Sequence, residues 1–387
     1  MITTIFYLIV IVSIIYFLFL VWLGRGQARL QEWSTGYTPS LNVLIVARNE
    51  EANIASLLES LKEQTYPQES YEITVVDDGS NDRTREILES YKERIKNLRF
   101  ILLDEIPRDW VPKIWALNTA IERSDSDILL VTDADTKIGR KWIESIMKPF
   151  RDTSVGFVSA PALLKRETKN LAGEILFLES CAYESVSASS IGHGFPLTCQ
   201  GNNLAFRRSA FSDAGGFEGI HHLIPGDDVF LMHKISRSGK WKLAYIADRS
   251  ALVTSNPPIR MRTFIHQRLR FGSAATQSLK QDTGVRCKAT ILAVSIGNAA
   301  SLVSTLFLIT TLNPLWVIPI TLKLMAEYFI LLQYVAKIRE SVRIFVYILS
   351  SIMYPVYWLI FGILGSYLAV TWRGRRFPRS QAPFTEM

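Results

Sequence analysis

The sequence predicts an α/β domain with a mostly parallel central sheet, flanked by transmembrane helices. Three observations lead there. Apolar runs of strand length alternate with helically spaced stretches between about residues 37 and 257. Those runs are nearly continuous rather than apolar at every second residue, as in strands covered on both faces, and such strands belong to parallel sheets. Lastly, 48% of the 387 residues are hydrophobic, and the excess lies at the two ends of the chain.

The elements follow in order. Ile2 to Leu23 carries no charge and is long enough to cross about 30 Å of hydrocarbon, which needs roughly 20 helical residues. It lacks the basic start and small-residue cleavage site of a signal peptide, so residues 1–24 read as a retained anchor. Arg25 and Arg29 follow, and by the positive-inside tendency they place what comes next in the cytoplasm. In the α/β domain, 37–257, Leu41 to Ala47 is a strand, and Glu50 to Gln64 has helical spacing at Ile54, Leu57, Leu58 and Leu61. The stretch YEITVVDDGS repeats the strand signal and leads to a helix from about Asp82 to Ile95. LRFILL, a helix from Lys113 to Ile121, and DILLVTDAD complete the alternation.

Beyond it, residues 258–285 hold a basic amphipathic helix, Ile259 to Leu279, suited to a membrane interface. Residues 286–372 hold three apolar blocks: Ala289 to Asn313, Leu315 to Ala336 and Ile344 to Trp372. Lys323 and Glu327, four apart inside the second, read as a pair. Lys337, Arg339 and Arg343 lie between the last two blocks, as in a cytoplasmic loop, and a basic tail fills 373–387. Three single spans after a cytoplasmic domain would put that tail outside, against the same tendency. The long last block, interrupted by Pro355, therefore reads as a re-entrant pair, or else one span is miscounted.

Charge and thiols narrow the partners. The 43 Lys and Arg against 36 Asp and Glu give +7, concentrated beside the apolar blocks and in RMRTFIHQRLR, which points to membrane lipids rather than nucleic acid. Cys181, Cys199 and Cys287 are scattered and suit a reducing compartment, and the histidines share no metal spacing.

Four clusters carry chemistry. In VVDDGSNDRT, Asp77 and Asp78 end a strand and Gly79 permits a tight turn; these acids suit a ribose or base, or simply cap the turn. In TDADT, Asp133 and Asp135 would raise each other's pKa without a compensating cation; Mg²⁺ or Mn²⁺ carried by a diphosphate supplies one, or the pair is a solvated acidic turn. In PGDDVFLMHK, Pro225 and Gly226 break the chain before a helix, so Asp227 and Asp228 stand at its start, as caps or as a general base for a hydroxyl. In HQRLRF, Gln267, Arg268 and Arg270 cannot all share one helix face, yet Gln267 and Arg270 are three apart and can meet one ligand such as a phosphate, or the arginines simply meet lipid headgroups. CQGNNLAF, Cys199 to Phe206, offers an amide-rich turn, for sugar hydroxyls or for itself.

Together these clusters, over about 39–273, resemble glycosyltransferase family 2, membrane-attached enzymes with a GT-A nucleotide-sugar-binding domain. The resemblance implies a hexosyl transfer with inversion from a nucleotide-diphosphate sugar. It makes Asp78, or its neighbour Asp77, the nucleotide-contacting acid, and Asp228 the catalytic base. It places Asp133 toward the donor and Asp135 on Mg²⁺ or Mn²⁺, and assigns Gln267, Arg268 and Arg270 to the diphosphate and acceptor. DWVPKIWALNTA also looks like a segment of members that glycosylate hopanoid, carotenoid and ceramide-type lipids, with Lys113 near the donor. The expected acceptor is therefore a lipid or lipid-linked molecule at the cytoplasmic face of the inner membrane. Phe271 stands where the family's arginine motif has tryptophan, which weakens the alternative of a processive polysaccharide synthase. A non-catalytic membrane scaffold with a degenerate fold is the remaining alternative, disfavoured by three intact acidic clusters.

Overall fold

The structure, a computed structural model, describes residues 2–368 apart from 35, 104, 225 and 259, and the backbone of 370–372, 375–377 and 385–386. Pro225 and most of the basic tail therefore lie outside the described residues. In chain order the elements are α1 (Ile2–Gly24), β1 (Leu41–Ala47), α2 (Ile54–Lys62), β2 (Tyr71–Asp77), α3 (Thr84–Lys92), β3 (Leu98–Leu102) and α4 (Pro112–Glu122). Then come β4 (Ile128–Asp133), β5 (Thr136–Ile138), α5 (Trp142–Met147), β6 (Val155–Ser159), β7 (Ala162–Leu164), α6 (Leu171–Gly192), β8 (Leu204–Arg207) and α7 (Arg208–Asp213). The chain continues through α8 (Asp227–Arg237), β9 (Lys242–Tyr245), β10 (Val253–Ser255), α9 (Met261–Lys280), α10 (Val285–Thr311), α11 (Val317–Lys337) and α12 (Ile344–Tyr367).

These elements form two compact units. The sheet unit comprises 30–165, 196–257 and 371–387. Its main sheet has the order β3-β2-β1-β4-β8-β6-β9, in which β8 alone runs antiparallel to its neighbours. Leu41, Val43, Leu44, Ile45, Ile73, Val75, Ile128, Leu129 and Leu130 are fully buried, which is why the strands read as continuous apolar runs. Each such side chain contributes roughly 1.5–3 kcal/mol. A second sheet, β5-β10-β7, is not foreshadowed by any run of more than three residues.

The helical unit comprises 1–29, 166–195 and 258–370. It corrects the expected continuity of 37–257, because α6 belongs here. This helix shows no apolar stripe: Ser180, Ser185, Ser187, Ser189 and Ser190 are buried alongside Phe177 and Leu178. The hydroxyls of Ser180 and Ser185 donate to the carbonyls of Phe177 and Ala182, which satisfies these donors inside the helix. Close approach needs glycine at one point: a Cβ on Gly192 would lie 2.0 Å from the Gly26 carbonyl oxygen.

Four helices among the described residues are long and apolar enough to cross a membrane: α1 with its short extension to Arg29, α10, α11 with the turn before it, and α12. The expected re-entrant pair is not formed, since α12 is one continuous helix with Pro355 inside. Its two halves have different partners. Tyr347 donates to the Leu324 carbonyl of α11, whereas Phe361 meets Phe264 of α9 and the α12 backbone there lies against Gly272. Proline removes one backbone donor and crowds the preceding turn, so it marks a natural boundary between the halves. Inside the bundle Lys323 donates to Glu327 at 2.7 Å, and Tyr16 donates to the other Glu327 oxygen at 3.1 Å.

Candidate active site

Three of the acidic clusters meet at one edge of the main sheet. Ala47 is in register with Asp77 of β2, and Val46 with Asp133 of β4, so these acids flank the end of β1. With strands about 4.8 Å apart, their backbones are about 10 Å apart. Asp77 is occupied locally: its Oδ1 accepts from the backbone N–H of Ser80 at 3.0 Å and from its hydroxyl at 2.5 Å, across the turn that Gly79 makes with φ 69°. Asp78 is buried beside it, and its carbonyl accepts from Arg48.

The segment ARNEEANI after β1, which contains no phosphate-binding glycine loop, clasps the next turn instead. Asn49 N–H donates to the Ser80 hydroxyl, Asn81 N–H donates to Asn49 Oδ1, and Glu50 N–H donates to Thr84 Oγ1 at 2.8 Å. The two loops at the sheet edge are thereby joined.

At the end of β4 the Thr136 hydroxyl closes a turn on the Asp133 carbonyl at 2.7 Å, leaving Asp133 and Asp135 half-buried. Lys113, from the first turn of α4, donates to Asp133 Oδ1 at 2.9 Å. Burial disfavours its charge, but Asp133 first, then Asp227 and Asp228, outweigh that and hold the ammonium above its ordinary range. Asp227 and Asp228 open α8 after Gly226, whose φ of 116° favours glycine. A small apolar cavity lined by Leu117, Val131, Leu204, Phe206, Phe217 and Leu231 ends on this pair. Burial there pushes the Asp228 carboxyl up to about 7, and Asp227 adds to the rise, against the Val229 N–H and Lys113. A base of that strength is half-charged near neutrality.

The amide turn divides its roles. Asn203 is wholly internal, accepting from Trp142 Nε1 at 2.9 Å and donating to the carbonyls of Pro161 and Ala251. Gly201 lies against the acid pair: a Cβ there would meet Asp228 Oδ2 at 3.0 Å. Nothing in the sequence marked Gly201 beyond its place in that turn.

The metal expectation can be tested on the donor set. Among the described residues, no three His, Cys, Asp or Glu side chains are grouped to hold an ion. Two oxygen-donor carboxylates two residues apart are what Mg²⁺ or Mn²⁺ takes when phosphates and waters complete its shell. A cation, the Lys113 ammonium, already rests on Asp133. The residues fit an ion that arrives with a diphosphate rather than a resident one.

Gln267, Arg268 and Arg270 lie on α9 in the helical unit. Gln267 and Arg270 are half-buried, one turn apart. Arg268 departs from expectation. It is buried, donates to Glu179 of α6 at 2.6 Å, and lies over the rings of Phe264, Phe271 and Tyr357. Tyr357 donates to the same Glu179 oxygen. A guanidinium so enclosed holds α9 to α6 and α12, and it is not presented to a diphosphate.

Comparison with known proteins bears on the family and the fold. The family described as "Glycosyl transferase family 2" matches residues 42–213, and "Glycosyl transferase family group 2" matches 128–370. Glycosyltransferase AglE of Haloferax volcanii is 28% identical over 245 residues, 63% of this chain and 75% of AglE. The β-monoglucosyldiacylglycerol synthase of Trichormus variabilis is 26% identical over 189 residues, 48% of this chain and 40% of that protein. Among solved structures, the mannosyltransferase PcManGT of Pyrobaculum calidifontis, in complex with GDP-Man and Mn²⁺, superposes with a TM-score of 0.58 at 18% identity, covering 88% of this chain and 99% of that one. The sheet order, the acid-bearing strand ends and these matches together establish that the chain belongs to glycosyltransferase family 2, with a catalytic domain of the GT-A fold.

Proposed function

We propose that this glycosyltransferase moves a hexosyl group, with inversion, from a nucleotide-diphosphate sugar to a hydroxyl of a lipid or lipid-linked acceptor at the cytoplasmic membrane face. The observation that carries the reading is the acid cluster around Lys113, where Asp133, Asp227 and Asp228 all act on one ammonium. Perturbed ionisable groups clustered in this way mark a functional site. Asp228 takes the proton of the acceptor hydroxyl as that oxygen attacks the anomeric carbon, opposite the departing diphosphate. A carboxyl raised to about 7 is basic enough to accept that proton and, being near neutrality, returns it to solvent before the next turnover. Lys113 adds positive charge near the leaving diphosphate. Asp133 and Asp135 would hold Mg²⁺ or Mn²⁺, which when bound supplies Lewis-acid neutralisation of that diphosphate. Asp78, with Asp77 shaping its turn, faces the nucleoside; Gln267 and Arg270 are the residues of the arginine motif left to contact diphosphate or acceptor.

A lipid acceptor is supported by the four apolar helices and by relatives named for a diacylglycerol product. Arg25 and Arg29 after the first span support a cytoplasmic catalytic domain in a multi-pass inner-membrane protein. The test is a panel of labelled nucleotide sugars offered to membranes containing the protein, scoring label moved into the organic phase. One sugar per acceptor is expected. A polymer would replace this reading with a processive synthase, and no transfer from any donor would overturn it.

A further inference from the structure

We propose that α12, although long enough to span the bilayer, stays within one leaflet, lying against its acyl chains with both ends on the face where α1 ends. The chain then crosses three times, through α1, α10 and α11, and the basic residues after α12 return to the face from which residue 30 continues. This placement does not depend on the transfer reaction.

Contacts along α1 set the levels. Phe6 meets the Trp316 ring at 5.1 Å, Tyr16 donates to Glu327 at 3.1 Å, and Gly24 lies against Ile330 and Gln333, so α11 runs parallel to α1 and ends on the same face. By contrast α10 runs the other way. Its Phe307 stacks on Trp316 at 4.6 Å, Gly297 packs on the Tyr16 ring, and Arg286 lies 5.8 Å over Phe195, which itself stacks on Trp22. The near face therefore holds Gly24, Val285 and Gln333, and the far face Phe6, Phe307 and Trp316.

From the near face α12 sets out, and to it α12 returns. Arg343, just before it, follows Lys337 by six residues and donates to the Thr168 carbonyl at 3.0 Å. The deepest contacts of the first half are Tyr347 with the Leu324 carbonyl and the Tyr354 ring with the Lys323 ammonium, 5.9 Å away. Lys323 is ten residues from Gln333, about 15 Å along a helix and so about half of a 30 Å hydrocarbon core. Beyond Pro355 the contacts pass to α9. A Cβ on Gly272 would collide with the Phe361 carbonyl oxygen, one on Gly365 would lie 2.8 Å from the Leu269 carbonyl oxygen, and the Thr276 and Ser366 hydroxyls are 2.7 Å apart. Gly272 is only eight residues, about 12 Å, from Lys280, and Val285 on the near face follows five residues later. A crossing helix of 24 residues, about 36 Å long, would instead carry its last turn to the level of Trp316. Among the described residues, the far-face cluster around Ile9, Ala300 and Trp316 contains none from α12.

Charge and exposure agree. Arg343 precedes α12 and Arg373, Arg375 and Arg376 follow it, as fits two ends that both stay on the inner face. Phe345, Ile348, Ile352, Val356, Ile360 and Ile363 recur every three or four residues and are exposed, whereas Tyr347, Ser351, Pro355 and Gly365 are buried. Acyl chains of that leaflet cover the exposed stripe, and the flanking arginines suit anionic headgroups.

The test uses the full-length protein in the membranes of the expressing cell. Single cysteines replace Val285 at the start of α10, Leu312 at the turn after it and Tyr367 at the end of α12, residues that are 84%, 82% and 80% exposed. The native thiols Cys181, Cys199 and Cys287 are buried, and the unsubstituted protein serves as the blank. A membrane-impermeant maleimide is offered to intact spheroplasts and to inverted vesicles. Val285→Cys and Tyr367→Cys should be labelled in inverted vesicles only, and Leu312→Cys in spheroplasts only. Labelling of Tyr367→Cys in the same preparation as Leu312→Cys would overturn the proposal and make α12 a fourth span. If lipid shields Tyr367→Cys from both sides, an epitope tag after Met387 decides: reactive on the side of Val285→Cys it supports the proposal, and on the side of Leu312→Cys it overturns it. Val285→Cys and Tyr367→Cys facing outward together would keep α12 in one leaflet and overturn instead the cytoplasmic reading of the catalytic domain.

Discussion

The two units treat buried charge in opposite ways. In the sheet unit one ammonium, Lys113, faces Asp133, Asp227 and Asp228, and the surplus is visible in the raised Asp228 carboxyl. In the helical unit charges are matched: Lys323 with Glu327, and Arg268 with Glu179, each completed by a tyrosine hydroxyl. A matched, hydrogen-bonded pair can stay buried permanently, while several carboxylates sharing one ammonium mark a place where a ligand is handled. The contrast teaches which ionisable residues to read as chemistry and which as architecture.

The largest expected effect comes from breaking the unmatched side. Asp228→Asn should lower transfer by about 10²–10⁴-fold while nucleotide-sugar binding persists, and wild-type turnover in that variant would remove Asp228 as the base. In the wild type, kcat/KM should rise with pH through about 7 as Asp228 loses its proton, a limb absent from any residual activity of the variant. Chelation comes next: without divalent ions, transfer should fall at least tenfold and return with Mn²⁺ or Mg²⁺. Full activity in chelator would leave Lys113 as the cation serving the diphosphate.

On the matched side, Glu327→Ala should destabilise the helical unit by about 3–5 kcal/mol, because Lys323 stays buried and uncompensated. Replacing both residues by leucine should cost far less, and thermal unfolding in detergent compares the two. If the single and double variants melt alike, the pair is not the unit of stability.

Two smaller effects sharpen the contrast. A carboxyl whose folded-state pKa lies above its unfolded value binds its proton more tightly when folded, so its penalty is absent below about pH 4 and grows toward pH 7. Asp228→Asn should accordingly melt higher than wild type at pH 8, with the difference gone below about pH 4. Gly201→Ala should reduce kcat by about a few-fold, since its methyl would press on Asp228 Oδ2 and a shift of that size costs on the order of 1 kcal/mol. An unchanged kcat would show that the carboxylate has room to yield.

How much was legible differed between the units. The strands β1, β2 and β4 were readable because burial on both faces leaves long apolar runs, and the acids that end β2 and β4 followed from where those runs stop. The Lys323–Glu327 pair was readable from helical spacing alone. By contrast β5, β7 and β10 are three residues long, and α6 is buried on nearly every side, so neither leaves a period to detect.

What the sequence determined by itself was therefore local: strand ends, helix starts, the spans, and which carboxylates stand at the edge of the sheet. Tertiary structure alone decided what each charge meets. It turned Arg268 inward onto Glu179, set Lys113 on Asp133 and laid Gly201 against Asp228. The physical reason is that periodicity reports which face of an element is buried, whereas pairing between residues tens or hundreds of positions apart depends on chain crossings that no short pattern encodes.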